Sequence, residues 1–350
     1  MKNCVVLGVG LIGQQFIRML DGHPDFDLEA IVASSESEGK SLQSKWALPS
    51  FDVPENFRSM KLINYNSLDL DSIDIVFSAL PASKAVQIEK DLSEKGIKIF
   101  SNASAYRYHK DIPILIPEIN SHHLKVVKNQ EDYLENNGFI ITNSNCTVSG
   151  LSIFINEIQK ISTIKNIFIS SYQAISGAGF KGLKEIPRDR VVPYISHEEE
   201  KIEIEAKKIL GHLNESKSEI ISNESFNLLA NCARVPVIDG HLEALTVEFK
   251  EYSKLETIKT SINSLENPVK GLPTAPDNHL VIIEGIDRPN TSLDLYIPKN
   301  HRSSGMGVAI GRLRITDNYL RCYLLVHNTI RGGAGGSILN AELALKEGLL

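Results

Sequence analysis

A short apolar run, a glycine-rich turn and an amphipathic run follow one another over the first twenty residues, and few folds other than a parallel α/β sheet accommodate that order. Val5–Leu7 reads as a strand and Leu11–Leu20 as a helix, with Gly8-Val9-Gly10-Leu11-Ile12-Gly13 between them. The turn fits G-x-G-x-x-G in the strand–turn–helix setting that gives this pattern meaning. Its glycines let backbone approach a pyrophosphate, and the helix N-terminus supplies free N–H donors. Gly8, Gly10, Leu11, Ile12 and Gly13 are therefore candidate dinucleotide-binding residues. Further strands are expected at Leu28–Val32, Ile73–Leu80, Ile97–Phe100 and Phe139–Ile141, with a helix at Ser83–Glu94. Strands alternating with helices predict a Rossmann-type α/β domain over residues 1–150.

Beyond Ser152 the pattern changes. Longer β segments (Ile167–Ala174, Ala244–Lys250, Leu280–Glu284, Gly307–Ile315, Leu320–Val326) predict an α+β domain over 151–331 on a largely antiparallel sheet. Residues 332–350 read as a helix packing back on the first domain, and polar Gly211–Ser225 as a surface loop or irregular insertion. A chain of 350 residues has room for about two domains. With 42% hydrophobic and 23% charged residues it has the composition of a soluble globular protein.

A net charge of -6 gives no footing for nucleic acid or anionic membranes. No apolar run approaches the ~20 residues of a membrane span, and the N-terminal residues lack the pattern of a secretory signal. Cys4, Cys146, Cys232 and Cys322 form no C-x-x-C pair, so neither a disulfide framework nor a metal cluster is expected, and a reducing cytoplasm suits them. The adjacent pair His122-His123 reads as solvated surface.

The end of the second strand bears on the cofactor. An NAD site places an acidic residue there for the ribose hydroxyls. Here Ser34, Ser35, Ser37 and Lys40 are placed to hold a 2′-phosphate, which favours NADP. Glu36 and Glu38 oppose one and keep NAD possible.

Cys146 falls where the apolar run Phe139–Ile141 gives way to the helical pattern of Leu151, Ile153, Phe154, Ile155 and Ile158. A cysteine at a helix N-terminus faces free N–H groups and the positive end of the helix dipole, which favour the nucleophilic thiolate. Covalent catalysis is one reading and a small buried core residue is the other.

Several ordered motifs resemble the archaeal and fungal branch of the aspartate-semialdehyde dehydrogenases. They are Val76–Pro81, Phe100–Arg107, Ile116–Asn120, Gln173–Gly179, Arg234–His241, His327–Gly332 and Asn340–Leu343. The resemblance implies that Cys146 attacks an acyl phosphate, releases inorganic phosphate and holds a thioester that NADPH reduces. The substrate would be 4-phospho-L-aspartate and the product L-aspartate 4-semialdehyde. His241 matches the general acid/base, an imidazole near pKa 6.5 being suited to proton transfer. Gln173 matches the residue that orients the acyl group, and N–H groups near Cys146 would stabilise the oxyanion. Arg234 matches the arginine that grips the substrate carboxylate in bidentate fashion. Arg107 matches the leaving-phosphate arginine, although by itself it reads as a surface ion pair. Glu198 and Lys201 match substrate contacts, with Glu205 and Lys208 repeating their spacing. Leu80, Ser176, Gly177 and Asn328 fall in motifs that border the cofactor in this family. A homodimer or homotetramer is implied as well.

The chain also departs from the family pattern. Its glycine loop is one residue shorter, Ser144 stands where proline is usual, and Thr147-Val148 replace serine and a small residue. Glu36 stands where arginine is frequent, and Ser292–Tyr296 replace an arginine-rich stretch. Reduction of an acyl-CoA such as malonyl-CoA is the enzymatic alternative, and a non-catalytic nucleotide-binding regulatory module the alternative of another class.

Overall fold

The computed structural model describes every residue except 187 and 300. Five strands, β1 (Lys2–Leu7), β2 (Phe26–Val32), β3 (Ile75–Ser78), β4 (Lys98–Ser101) and β5 (Phe139–Thr142), form a sheet in the order β2-β1-β3-β4-β5. Every pair in it is parallel. All of β3 and β5 is buried, as strands covered on both faces must be. One face carries the helix Leu11–Leu20, whose Phe16, Ile17 and Leu20 share a core with Phe77, Phe100 and Ile141. The helix Ala82–Ser93 covers the other face through Leu92, against Val5, Val76 and Ile99. Ile338, Leu339 and Leu343 of the helix Gly335–Lys346 enter the first of these cores.

The second sheet holds β6 (Ile164–Gln173), β9 (Asn227–Arg234), β10 (His241–Phe249), β11 (Leu280–Ile283), β12 (Val308–Thr316) and β13 (Tyr319–Val326), in the order β11-β12-β13-β10-β6-β9. It is mixed. The three central pairings are antiparallel, but β6 runs parallel to β9 and β11 parallel to β12. The helix Cys146–Gln159 lies on this sheet, with Leu151, Phe154 and Ile158 packed among Ile167, Leu245 and Leu324.

Three local expectations need correction. The edge strand β9 went unread because asparagines and a cysteine break up its apolar alternation. Gly211–Ser225 is partly ordered, β7 (His212–Leu213) pairing with β8 (Ile220–Ile221). His123 is fully buried between Asn120 and the Gly211 carbonyl, its ring nitrogens 3.2 Å from each, and only His122 is exposed. Burial pushes His123 down to about 4, aided by the charge of His122. Among the described residues no helix is long and apolar enough to cross a membrane, and no cluster of three or more potential metal ligands occurs.

Candidate active site

The parallel sheet reverses its strand order between β1 and β3, and open α/β sheets bind ligands at the carboxyl ends of strands at such a point. The glycine turn lies there. Gly8 has φ +99°, and a Cβ on it would come 3.0 Å from the Ala79 carbonyl oxygen. A Cβ on Gly13 would lie 1.9 Å from the Gly8 carbonyl oxygen, so Gly13 serves the packing of helix on turn. Gly10 faces open space, with nothing within 4 Å of where a Cβ would stand.

Two neighbouring cavities share Gly10, Ala79, Leu80 and Pro81. One, of about 500 Å³, reaches Gly8, Ser34, Ser35, Asn64, Tyr65 and Lys84. The other, of about 560 Å³, takes in Leu11 and Ile12 and runs to Cys146, Ser176, Gly177 and Asn328. A long cleft with a glycine cradle at its middle and a helix N-terminus beside it fits an extended dinucleotide. Two expected contacts are displaced. Ser37 is buried away from the cavity lining, and Lys40 Nζ donates 2.7 Å to the Glu36 carbonyl. Lys84, in the helix after Pro81, is the lysine on that lining, together with Asn64 and Tyr65, none of them anticipated. Leu80-Pro81 leading into a helix is the one sequence signal that could have found Lys84.

The nucleophile end is built from side chains. β6 ends at Gln173, β9 ends at Arg234 and β10 begins at His241, so three adjacent strands deliver these groups to one edge of the sheet. Gln173 and Arg234 are register partners. Cys146 opens its helix after β5, and its Sγ lies 3.2 Å from His241 Nε2. A third cavity, of about 290 Å³, is lined by Cys146, Gln173, Arg234, Arg107, Glu198 and Lys201, among others. Cys146 therefore faces both the dinucleotide cleft and this smaller chamber.

The local electrostatics overturn two expectations. Burial pushes the Cys146 thiol up to about 12, and the charge of Glu198 adds to that, against the opposing pull of Arg234 and Arg107. The helix terminus offsets only a little of this, through the N–H of Cys146 itself, because Asn145 caps the rest. Asn145 Oδ1 accepts from the N–H groups of Thr147 (2.9 Å) and Val148 (3.4 Å), the donors that were to favour a thiolate or oxyanion. The Asn145 N–H is itself given to Glu205 Oε2 at 2.7 Å. His241 is pushed down to about 3 instead of lying near 6.5, chiefly by burial and then by the charge of Arg234. Its Nδ1 accepts from the Ala174 N–H at 3.1 Å, so the neutral ring carries its proton on Nε2, facing Sγ.

The helix Glu198–Ile209 separates the two repeats of its charged pattern by depth. Glu198 Oε1 accepts from Asn145 Nδ2 (2.9 Å) and Gln173 Nε2 (3.1 Å), and Oε2 lies 3.9 Å from Lys201 Nζ at the chamber wall. Two turns on, Glu205 is fully buried and pairs with Arg107 Nη1 at 3.0 Å. Lys208 Nζ donates to the carbonyls of Arg107, His109 and Ile112. Arg107 is thus no surface ion pair. It is buried, and its Nη2 also donates to the Asn102 and Ser144 carbonyls at 2.9 and 3.2 Å. Arg234 Nη1 donates to the Ala174 carbonyl at 2.9 Å. Asn328 joins the two walls of the dinucleotide cleft, donating to Ser176 Oγ and accepting from the Gly240 N–H, both at 2.8 Å. Asn145 and the Ala174 N–H are functional neighbours that sequence reasoning passed over, whereas Glu205 and Lys208 were named only as repeating the spacing of Glu198 and Lys201.

Known proteins resemble this chain along its full length. The family described as semialdehyde dehydrogenase, NAD binding domain, matches residues 3–127, and semialdehyde dehydrogenase, dimerisation domain, matches 158–331. The aspartate-semialdehyde dehydrogenase of Methanothermobacter thermautotrophicus is 40% identical over 352 residues, covering 98% of this chain and 99% of its own. That of Schizosaccharomyces pombe is 37% identical over 364 residues, covering 100% and 99%. The crystal structure of the Candida albicans enzyme with NADP has a TM-score of 0.89 at 34% identity and covers both chains completely.

Proposed function

Because the chain belongs to the aspartate-semialdehyde dehydrogenase family, we propose that it interconverts 4-phospho-L-aspartate and L-aspartate 4-semialdehyde as an NADP-dependent oxidoreductase, with Cys146 as the acyl acceptor. One observation carries the reading above the others. Cys146 Sγ lies 3.2 Å from His241 Nε2, where the dinucleotide cleft meets the chamber that holds Arg107 and Arg234.

In the reductive direction Sγ forms a bond to the acyl carbon as the carbon–oxygen bond to phosphate breaks, and phosphate leaves toward Arg107, carrying the thiol proton with it. When bound, NADPH supplies the hydride that reduces the resulting thioester carbonyl. The thiohemiacetal oxygen, protonated from the medium once the hydride has been added, then passes its proton to sulfur as the C–S bond breaks, releasing aldehyde and restoring the Cys146 thiol. His241 Nε2–H is the nearest protein donor to Sγ and stabilises negative charge on sulfur or on the neighbouring oxygen. Arg234 takes the substrate carboxylate. Since the charge of Arg234 helps to depress His241, a carboxylate bound there raises the imidazole toward the range where it exchanges protons. Gln173 orients the acyl group, and Glu198 with Lys201 faces the substrate amine and phosphate. Gly8, Gly10, Leu11, Ile12, Ser34 and Ser35 hold the dinucleotide with Leu80, Ser176, Gly177 and Asn328, while Gly13 shapes the turn.

In this reading residues 1–150 bind the cofactor, 151–331 supply catalysis and dimerisation, and 332–350 brace the first unit. The matched dimerisation domain supports a homodimer or homotetramer, and the amino-acid substrate supports a cytoplasmic setting. Phosphate- and NADP⁺-dependent oxidation of aspartate semialdehyde, followed as NADPH absorbance, tests the assignment. Turnover is expected. An inert semialdehyde together with reduction of malonyl-CoA would replace it with the acyl-CoA reaction, and no turnover of either would favour a regulatory role.

A further inference from the structure

Adjacent strands of the parallel sheet end in paired serines, Ser78 on β3 and Ser101 on β4, which are register partners. Each leads into a loop of the site. Ala79–Pro81 line the dinucleotide cleft, and Asn102–Arg107 carry Arg107. Glu89, on the helix that covers this face, is fully buried against both serines. Ser101 Oγ donates to Glu89 Oε1 at 2.7 Å and accepts from the Ala103 N–H at 3.1 Å. Glu89 Oε2 and Ser78 Oγ are buried without a partner. A carboxyl group stripped of water and left half-satisfied is costly unless its surroundings use it.

We infer that Glu89 is a positioning residue that joins the dinucleotide loop after β3 to the Arg107 loop after β4, and that anion binding at Arg107 is linked to proton uptake by its carboxyl. The inference rests on the reading of Arg107 as the phosphate site. Burial pushes Glu89 up to about 7, while the neighbouring hydroxyls of Ser78 and Ser101 and the charge of Arg107 pull it down. An anion on Arg107 cancels part of that pull and raises the proton affinity of Glu89. By reciprocity, protonated Glu89 leaves more of the Arg107 charge for the anion. Protonation also gives Oε2 a hydrogen to place on Ser78 Oγ, completing a chain from Ser78 through Glu89 and Ser101 to Ala103.

The other titratable groups nearby are few. β5 brings none, and Lys98 of β4 donates to the Gly96 carbonyl. The Tyr106 hydroxyl donates to the Val86 carbonyl, and Lys90 pairs with Asp132. Beyond Arg107 stand Glu205, Cys146 and His241, the last two held at about 12 and about 3. His109 is the exposed histidine at the end of this loop, its ring 5.2 Å from that of Tyr106.

Sulfate is a suitable probe because, unlike phosphate, it keeps its charge across neutrality. With NADP⁺ saturating the cofactor cleft, sulfate affinity is read from the shift in thermal unfolding, which needs no turnover. The wild-type enzyme is expected to bind sulfate about fivefold or more tightly at pH 6 than at pH 8. Glu89→Gln is expected to bind it equally at both pH values while still binding NADP⁺. His109→Gln is expected to keep the wild-type dependence, and Ser101→Ala to move its midpoint to higher pH, since the bond it removes favours the ionised carboxyl. A pH dependence that survives in Glu89→Gln, or a Ser101→Ala midpoint that does not move, overturns the inference. Sulfate that fails to compete with phosphate in turnover overturns instead the reading of Arg107 beneath it.

Discussion

The two ends of the cleft are made of different material. The dinucleotide end is largely main chain: a glycine turn, a helix N-terminus and the loops at the carboxyl ends of β1 and β3. The nucleophile end consists of side chains from five separate stretches, held by hydrogen bonds among Asn145, Gln173, Glu198, Glu205 and Arg107. Backbone sites depend on conformation, so they fail when a Cβ intrudes. Side-chain sites depend on register between distant strands, and they fail when one partner is withdrawn.

Removing the nucleophile should separate the ends most sharply. Cys146→Ala is expected to lower turnover on the order of 10⁴-fold or more while NADP⁺ binding, followed by fluorescence, is retained. Parallel loss of cofactor affinity would break the distinction. A thiol raised to about 12 has its thiolate fraction rising roughly tenfold per pH unit below that value. Iodoacetamide should therefore label Cys146 of the free enzyme with a log rate that climbs with unit slope from about pH 7 to about pH 10. A plateau near neutrality would mean that the thiolate is already formed in the empty site.

Glu205→Ala should cost about 3–5 kcal/mol in denaturant unfolding, because it leaves the buried Arg107 charge without its partner. Glu198→Gln, on the same helix but at the chamber wall, should leave stability within about 1 kcal/mol and act on the KM for the semialdehyde. Equal effects on stability would erase the difference between the two turns. Arg234→Lys is expected to raise that KM about tenfold or more with a smaller change in kcat, as the bidentate grip is lost. Gly10→Ala should be the mildest. Open space receives the new Cβ, so unfolding should be nearly unchanged and only the KM for NADP should rise by a few-fold, an effect well under 1.4 kcal/mol.

The same division decides what could be read in advance. The first sheet was legible because most of its strands carry a short apolar run and two of its connections carry a clear helical pattern, and the helix Leu11–Leu20 was placed to the residue. Cys146 was legible as a helix start for the same local reason. The environment that holds its thiol protonated was not, since it comes from desolvation in the assembled site and from the charge of Glu198 on a distant helix. His123 looked exposed because nothing nearby in sequence reports the carbonyl of Gly211 that receives it. The roles of Glu198 and Glu205 could not be told apart from spacing, because helical periodicity gives a shared face and no depth. The motifs quoted for the family supplied what periodicity could not, by naming residues that only register brings together.

Gly332 bears on how such a protein can be rebuilt. A Cβ at that position would stand 2.6 Å from Cys146 Cα and 2.7 Å from its Cβ. The segment that leads into the last helix is therefore pressed against the backbone of the nucleophile with no room for a side chain. Residue 331, where the dimerisation-domain match ends, looks like a natural seam for exchanging parts between relatives. It is a poor one. A chimaera joined there takes each half of a single van der Waals contact from a different parent, and a mismatch of a few tenths of an ångström falls on the sulfur-bearing residue itself.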